Sequence, residues 1–252
     1  MNELTQGIAV VTGAGGGLGR ALSVELSKSM QVAGIGRDQA ALDETRAMAE
    51  PGRFHPLTAD VSDFNSVAKA FELASIFAPV TVLVNNAALY PRRDITEETA
   101  ESFMEVVNTN LGGVVACTRA ALSGMMDTGF GRILNVATFA DVAPLPASSA
   151  YSVSKGAARI FTRALIADIG DRFPGIVVTD WMPGMLATRM GIAEGLDPRD
   201  AARWGAKLAL WHDPSLTGTT WEMDREIPPP RSLKRRIADR VLMRPRAVAR
   251  HL

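Results

Sequence analysis

Short β-branched runs alternate with stretches of helical periodicity along almost the whole chain, and this alternation limits the possible folds more than any other feature. "GIAVVTG" reads as a buried strand that stops at glycine, and Leu18, Ala21, Leu22 and Leu26 then recur at helical spacing. "QVAGIGR" reads as a second strand and "LDETRAMAE" as a helix halted before Pro51; a further strand ends before Asp60. "VTVLVNNAA" is a strand with an abrupt polar end, and "ESFMEVVNTNLGGVVACTRAALSGMM" reads as one long helix. "GRILNVAT", "GIVVTDWMPG" and "TGTTWEM" are strands, the first two separated by the helix "SAYSVSKGAARIFTRALIADIGD". Most of these strands are apolar on both faces and so need cover on both sides. The expectation is an α/β chain: one doubly wound domain whose parallel, seven-stranded sheet is flanked by helices on both faces.

Composition agrees with one large domain: 252 residues, 47% of them hydrophobic, suffice for a sizeable core. The charge balance of 27 basic and 27 acidic residues hides an asymmetry. From Arg231 onward there are eight Lys/Arg and one acid, Asp239, which leaves 19 basic and 26 acidic residues in the body. The prolines of "IPPP" mark the boundary. The division expected is one α/β domain over 1–227 and a Pro-led basic extension over 228–252. Leu233, Ile237, Val241 and Leu242 recur there at helical spacing. The plain reading is a helix packed on the body or on a neighbouring subunit, neutralising acidic surface. The sharper one is contact with an anionic membrane surface or an acidic carrier protein. Nucleic acid is not expected, because stacking aromatics are missing from the tail.

Cys117 is the single cysteine, so no intrachain disulfide forms, and its apolar helical setting points to a buried, inert thiol. His55, His212 and His251 show no metal-ligand spacing, and no metal is expected. "MNELTQGIAVV" lacks the basic and apolar regions of a signal peptide, and no apolar run reaches ~18 residues. A cytoplasmic protein is the expectation.

"VTGAGGGLGR" places five glycines within seven residues between a strand and a helix. A helix N-terminus offers unpaired N–H groups and a positive dipole end, a setting suited to a dinucleotide pyrophosphate. No Gly-Lys pair follows, which argues against an NTPase loop, and G-x-G-x-x-G does not fit. What fits is T-G-x-x-x-G-x-G, on Thr12, Gly13, Gly17 and Gly19. "YSVSK" puts Tyr151 and Lys155 four residues apart, on one helix face. Thr138 precedes Tyr151 by thirteen residues at a strand end, and Asn110 lies in the long helix upstream. Asp60–Val61, "NNAA" over 85–88 and "PGMLAT" over 183–188 each follow a strand.

In that order and spacing these motifs resemble the short-chain dehydrogenase/reductase family, compact type, over roughly residues 5–224. The resemblance implies a Rossmann-like domain and hydride transfer between a nicotinamide and a carbonyl or secondary alcohol. It implies Tyr151 as general acid in reduction and base in oxidation. Lys155 would favour the phenolate and hold the nicotinamide ribose, Thr138 would bond the substrate oxygen, and Asn110 would hold a relay water. For cofactor contacts it implies Gly13, Gly15, Gly16, Gly17, Leu18, Gly19, Arg37, Asp60, Val61, Asn86, Ala87, Ala88, Tyr151, Lys155, Pro183, Gly184, Leu186 and Thr188. Three positions depart from the family pattern: Thr138 stands for serine, Ala88 for glycine, and Thr179–Asp180 for Asn–Ala. Threonine keeps the hydroxyl with a stiffer χ1, so activity is expected to persist in a reshaped pocket. Asp180 is read as a local structural acceptor. The chain also lacks the Gly-Gly that closes many relatives.

NAD-binding chains usually carry an acid at the end of the second strand. Here that place falls to Gly36, followed by Arg37, which favours NADP(H) over NAD(H) through the 2′-phosphate. The other possibility is that Asp38 takes the acid's role. The pocket candidates Leu89, Tyr90, Phe139, Met185, Leu186 and Met190 suggest a medium-sized, mainly apolar carbonyl or alcohol substrate. A 3-oxoacyl-carrier-protein reductase-like role is one specific option. The competing functions are a non-catalytic nucleotide-binding scaffold and a partner-binding protein that uses the basic tail. The resemblance further implies a homodimer or homotetramer.

Overall fold

A computed structural model describes residues 3–228 and 248–252. After a short 3-10 turn at Glu3–Gln6, strands β1 (Ile8–Thr12), β2 (Gln31–Gly36) and β3 (Phe54–Thr58) alternate with helices α1 (Gly17–Ser27) and α2 (Gln39–Met48). Helix α3 (Phe64–Phe77) leads to β4 (Val80–Asn85). Helices α4 (Ala100–Val107) and α5 (Gly113–Thr128) precede β5 (Gly131–Val136), and α6 (Ser149–Ile169) precedes β6 (Ile176–Met182). Helix α7 (Pro198–Leu210) leads to the short β7 (Thr220–Glu222) and β8 (Arg225–Ile227).

The sheet order is β3-β2-β1-β4-β5-β6-β7-β8. The first seven strands are parallel, as the doubly apolar runs require, and β1, β5 and β6 are buried along nearly their whole length. The expected seven strands gain an eighth, β8, antiparallel to β7. It was not legible because "REI" is too short and too polar to stand out. The order reverses between β1 and β4, and a crevice at the carboxyl ends of those strands is where such sheets take ligands.

One core half gathers α1 and α7 over β1, β4, β5 and β6 around Trp181 and Trp221; the other gathers α3, α5 and α6 on the opposite face. The expected single helix over 101–126 is broken at Asn108–Gly112 by a π-helical turn. Gly113, just beyond it, sits so close to the loop after β3 that a Cβ there would lie 2.7 Å from Val61 Cγ2. π-Turns inside helices recur at functional sites, and this one carries the buried Asn110.

The tail helix expected over Leu233–Leu242 lies outside the described residues. Residues 248–252 return to the sheet edge. Glu226 N donates to Arg250 O at 3.0 Å, Leu252 N to Asp224 O at 2.9 Å, and Arg250 Nε to Glu226 Oε2 at 2.7 Å.

Candidate active site and nucleotide cleft

The crevice is assembled by backbone locks. Thr12, the last residue of β1, accepts at Oγ1 from Asn86 N at 2.9 Å and Ala87 N at 3.0 Å, while Asn86 Nδ2 donates to Thr12 O at 2.8 Å. The five glycines then divide by what surrounds them. Gly13 has φ +70°, and a Cβ on it would stand 2.9 Å from Asn86 Nδ2. A Cβ on Gly19 would meet Gly13 O at 2.1 Å. These two let α1 sit down on the loop. Gly15 abuts Ala41, and Gly17, at φ +51°, lies under the Thr188 methyl. Gly16 is different: nothing lies within 4 Å of where its Cβ would be.

Gly16 is also the N-cap of α1, without a side-chain cap, and the first turn carries no acid. The result is a bare backbone with unpaired N–H groups beside open space, which suits a phosphate. Beside it a cleft of about 130 Å³ is lined by Gly13, Gly36, Arg37, Asp60, Val61, Ala87, Ala88 and Leu89, among others. The residues present fit a dinucleotide. Arg37 follows β2 and is largely exposed, its Nη1 3.9 Å from Asp60 Oδ2. Asp38 is committed elsewhere: its carboxylate caps α2, accepting from Ala40 N at 2.9 Å and Ala41 N at 3.3 Å.

Thr138 follows β5, and its Oγ1 accepts from Ala140 N at 3.3 Å, capping a 3-10 turn over Phe139–Asp141. Tyr151 projects from the first turn of α6 beside Thr138. Burial pushes the Tyr151 phenol above its ordinary pKa, and the neighbouring Thr138 hydroxyl only partly opposes this. Lys155 is not among the groups that set this shift. Lys155 is buried, and its Nζ donates to Val136 O at 2.9 Å. Burial lowers its pKa to about 8, against the pull of Asp180.

Asn110 also differs from expectation. Its Oδ1 accepts from Leu89 N at 2.6 Å, and its Nδ2 donates to Leu89 O at 2.9 Å and Ser154 Oγ at 3.0 Å. Both amide donors are spent on protein atoms, so the side chain clamps the loop that carries Leu89 and Tyr90 to α6. Any relay water is left one Oδ1 lone pair and main-chain oxygens.

Tyr90 stacks on Tyr151 with ring centroids 4.4 Å apart. Arg92, at φ +50°, lies over Tyr90 and donates from Nη2 to Gly191 O at 2.9 Å, tying the loop after β4 to the loop after β6. Met185, Phe139 and Met190 are exposed, at 70%, 44% and 38%. The side chains of Leu18 and Leu186 do not reach the cleft. Both are buried in the core half around Trp181, leaving only their main-chain groups for a ligand. Asp180 accepts from Thr162 Oγ1 at 2.7 Å, and Thr162 in turn accepts from Asn135 Nδ2 at 2.9 Å. Sequence reasoning missed Asp141 and Arg159, which pair at 2.7 Å beside Thr138; their only signal was charge within otherwise apolar surroundings.

A family model described as short chain dehydrogenase matches residues 7–198. The chain belongs to that family. It is similar to an uncharacterized oxidoreductase of Staphylococcus saprophyticus, 29% identical over 213 residues, which cover 80% of this chain and 90% of the relative. It is also similar to an uncharacterized short-chain type dehydrogenase/reductase of Sinorhizobium fredii, 34% identical over 188 residues, 73% of this chain and 71% of the relative. An uncharacterized oxidoreductase of Staphylococcus aureus is 27% identical over 210 residues, 80% of this chain and 90% of the relative. This short-chain dehydrogenase is thus an oxidoreductase of the NAD(P)-dependent kind. No helix among the described residues is long and apolar enough to cross a membrane, and no group of three or more potential metal ligands occurs among them.

Proposed function

We propose that the protein is an NADP(H)-dependent reductase of carbonyl compounds, with Tyr151 as the general acid. The observation that carries this reading is the half-buried Tyr151 beside Thr138, with the buried Lys155 one turn further along the same face of α6. A carbonyl oxygen between the two hydroxyls accepts a hydrogen bond from Thr138 and takes the proton of Tyr151. A bound nicotinamide supplies the hydride to the carbonyl carbon. Lys155, protonated below about pH 8, stabilises the tyrosinate left behind. Asn110 keeps Tyr90 and the loop after β4 seated against α6.

The residues that would hold the cofactor are the bare N-terminus of α1 at Gly16–Leu18 for the pyrophosphate, and Asp60 and Val61 for the adenine end. Lys155 would hold the nicotinamide ribose, and Thr188 would close over the loop. The preference for the 2′-phosphate rests on Arg37, on Gly36 in the acid's usual place, and on Asp38 being taken up as a helix cap. The apolar exposed side chains of Phe139, Met185 and Met190 favour a mainly apolar substrate.

NADPH and NADH titrations by fluorescence test the cofactor assignment. NADPH should bind more tightly, and Arg37→Ala should erase the difference; a preference for NADH would overturn it. Tyr151→Phe should lower turnover of a carbonyl panel by about 100-fold or more while leaving NADPH affinity unchanged. Turnover within a few fold of wild type would remove Tyr151 from the reaction.

A further inference from the structure

Arg159 stands four residues after Lys155 and eight after Tyr151, on the same face of α6. Its Nη1 donates to Asp141 Oδ2 at 2.7 Å, and its Nε lies 4.0 Å from Asp180 Oδ2. All three side chains are mostly buried. The partners come from different elements: Asp141 closes the 3-10 turn that Thr138 caps, and Asp180 sits in β6, three residues before Pro183. One cation thus joins the three segments that carry the candidate site.

Two further observations bear on this clamp. Gly156, next to Lys155, makes room for it: a Cβ there would lie 3.2 Å from Asp141 Cβ, so the turn rests directly on the helix backbone. Asp141 Oδ1 and Arg159 Nε are buried without hydrogen-bond partners. Buried ion pairs seldom add net stability over apolar packing, and one with unpaired atoms adds less. Geometry is the better account of why the charges are there.

We propose that Arg159 is a positioning residue, which by bridging Asp141 and Asp180 fixes the Thr138 hydroxyl against the Tyr151–Lys155 face of α6. It acts on the reaction only through Thr138. The inference rests on the reading that Thr138 and Tyr151 form the reacting pair, but its test needs no turnover.

The chain has two tyrosines, Tyr90 and Tyr151. Their ring Cζ carbons, labelled with 13C, give two NMR signals at neutral pH, assigned with Tyr90→Phe. The Tyr151 signal reports the surroundings of its hydroxyl, and Thr138→Val marks its position when the Thr138 hydroxyl is absent. Arg159→Met and Asp141→Asn should each move the Tyr151 signal toward the Thr138→Val position, and Arg159→Lys should fall between wild type and Arg159→Met. With turnover established, kcat should drop about ten- to hundred-fold in Arg159→Met with NADPH affinity unchanged. If Arg159→Met fails to fold, Asp141→Asn, nearly isosteric, decides the matter. A wild-type signal in folded Asp141→Asn overturns the proposal, even if Arg159→Met shifts it, because the effect would then be one of charge and not of the bridge. Should the wild type reduce no carbonyl, the reductase reading fails while the NMR result stands on its own.

Discussion

Asp180→Asn should make the protein more stable, and increasingly so as pH rises from about 4 to 7. Asp180 is buried in β6, where it accepts from Thr162 Oγ1 at 2.7 Å. Burial raises its pKa from 3.8 to about 6, with Asp141 adding to the rise, against the opposing pulls of Thr162, Arg159 and Arg163. At about 1.36 kcal/mol per unit, the rise from 3.8 to about 6 is worth about 3 kcal/mol against the ionised form in the folded state. The folded pKa lies above the unfolded one, so between these values the native state holds more proton than the unfolded state. The contribution of Asp180 is therefore fully present below about pH 3.8 and is lost as pH climbs through about 6. Asparagine does not titrate and keeps an Oδ1 acceptor for Thr162. Urea unfolding followed by circular dichroism, at several pH values between about 4 and 7, gives the stability difference, provided the m-values agree. The difference should grow in favour of the variant by up to about 3 kcal/mol. A difference that stays flat across the window would refute the reasoning, since Asp180 would then ionise as freely in the fold as in the unfolded chain.

The glycines of the first loop should separate by function. Gly19→Ala forces a Cβ to 2.1 Å from Gly13 O and should cost roughly 1–3 kcal/mol in thermal or urea unfolding. Gly16→Ala meets nothing within 4 Å, so it should leave stability nearly unchanged and weaken NADPH binding instead. Thr12→Val removes the acceptor of Asn86 N and Ala87 N, and should cost about 1–3 kcal/mol in the same unfolding assay. Cys117, buried and with its thiol pushed up to about 12, should not react with a thiol reagent in the native protein and should react once urea unfolds it.

The catalytic motif was legible because its spacing is local. Tyr151 and Lys155 share a helix face by arithmetic alone, and Thr138 could be placed at a strand end from the apolar run before it. Asn110 was legible as a residue, but its contacts with the protein were not. Its amide turns to Leu89 and Ser154 because the π-turn at Asn108–Gly112 changes which way the side chain faces, and nothing in "NTNLG" announces that turn. Leu18 and Leu186 were placed at the cofactor by their neighbours in the chain. Their side chains are buried in the core half that also holds Trp181.

What the sequence determined by itself is the parallel α/β layering, the glycine-rich start of α1, and the order of the motif residues along the chain. Each follows from short-range rules: strand and helix periodicity, glycine beside a helix N-terminus, and side chains four apart. Only the tertiary structure decided which loop glycines serve packing and which leaves open space, that Asp38 is a helix cap, and that Arg159 joins the Thr138 turn to β6. These depend on residues 18 and 21 positions apart, from Arg159 to Asp141 and to Asp180, meeting at one end of the sheet. That meeting is set by strand order and by how closely a helix can approach a turn, quantities that no stretch of sequence carries alone.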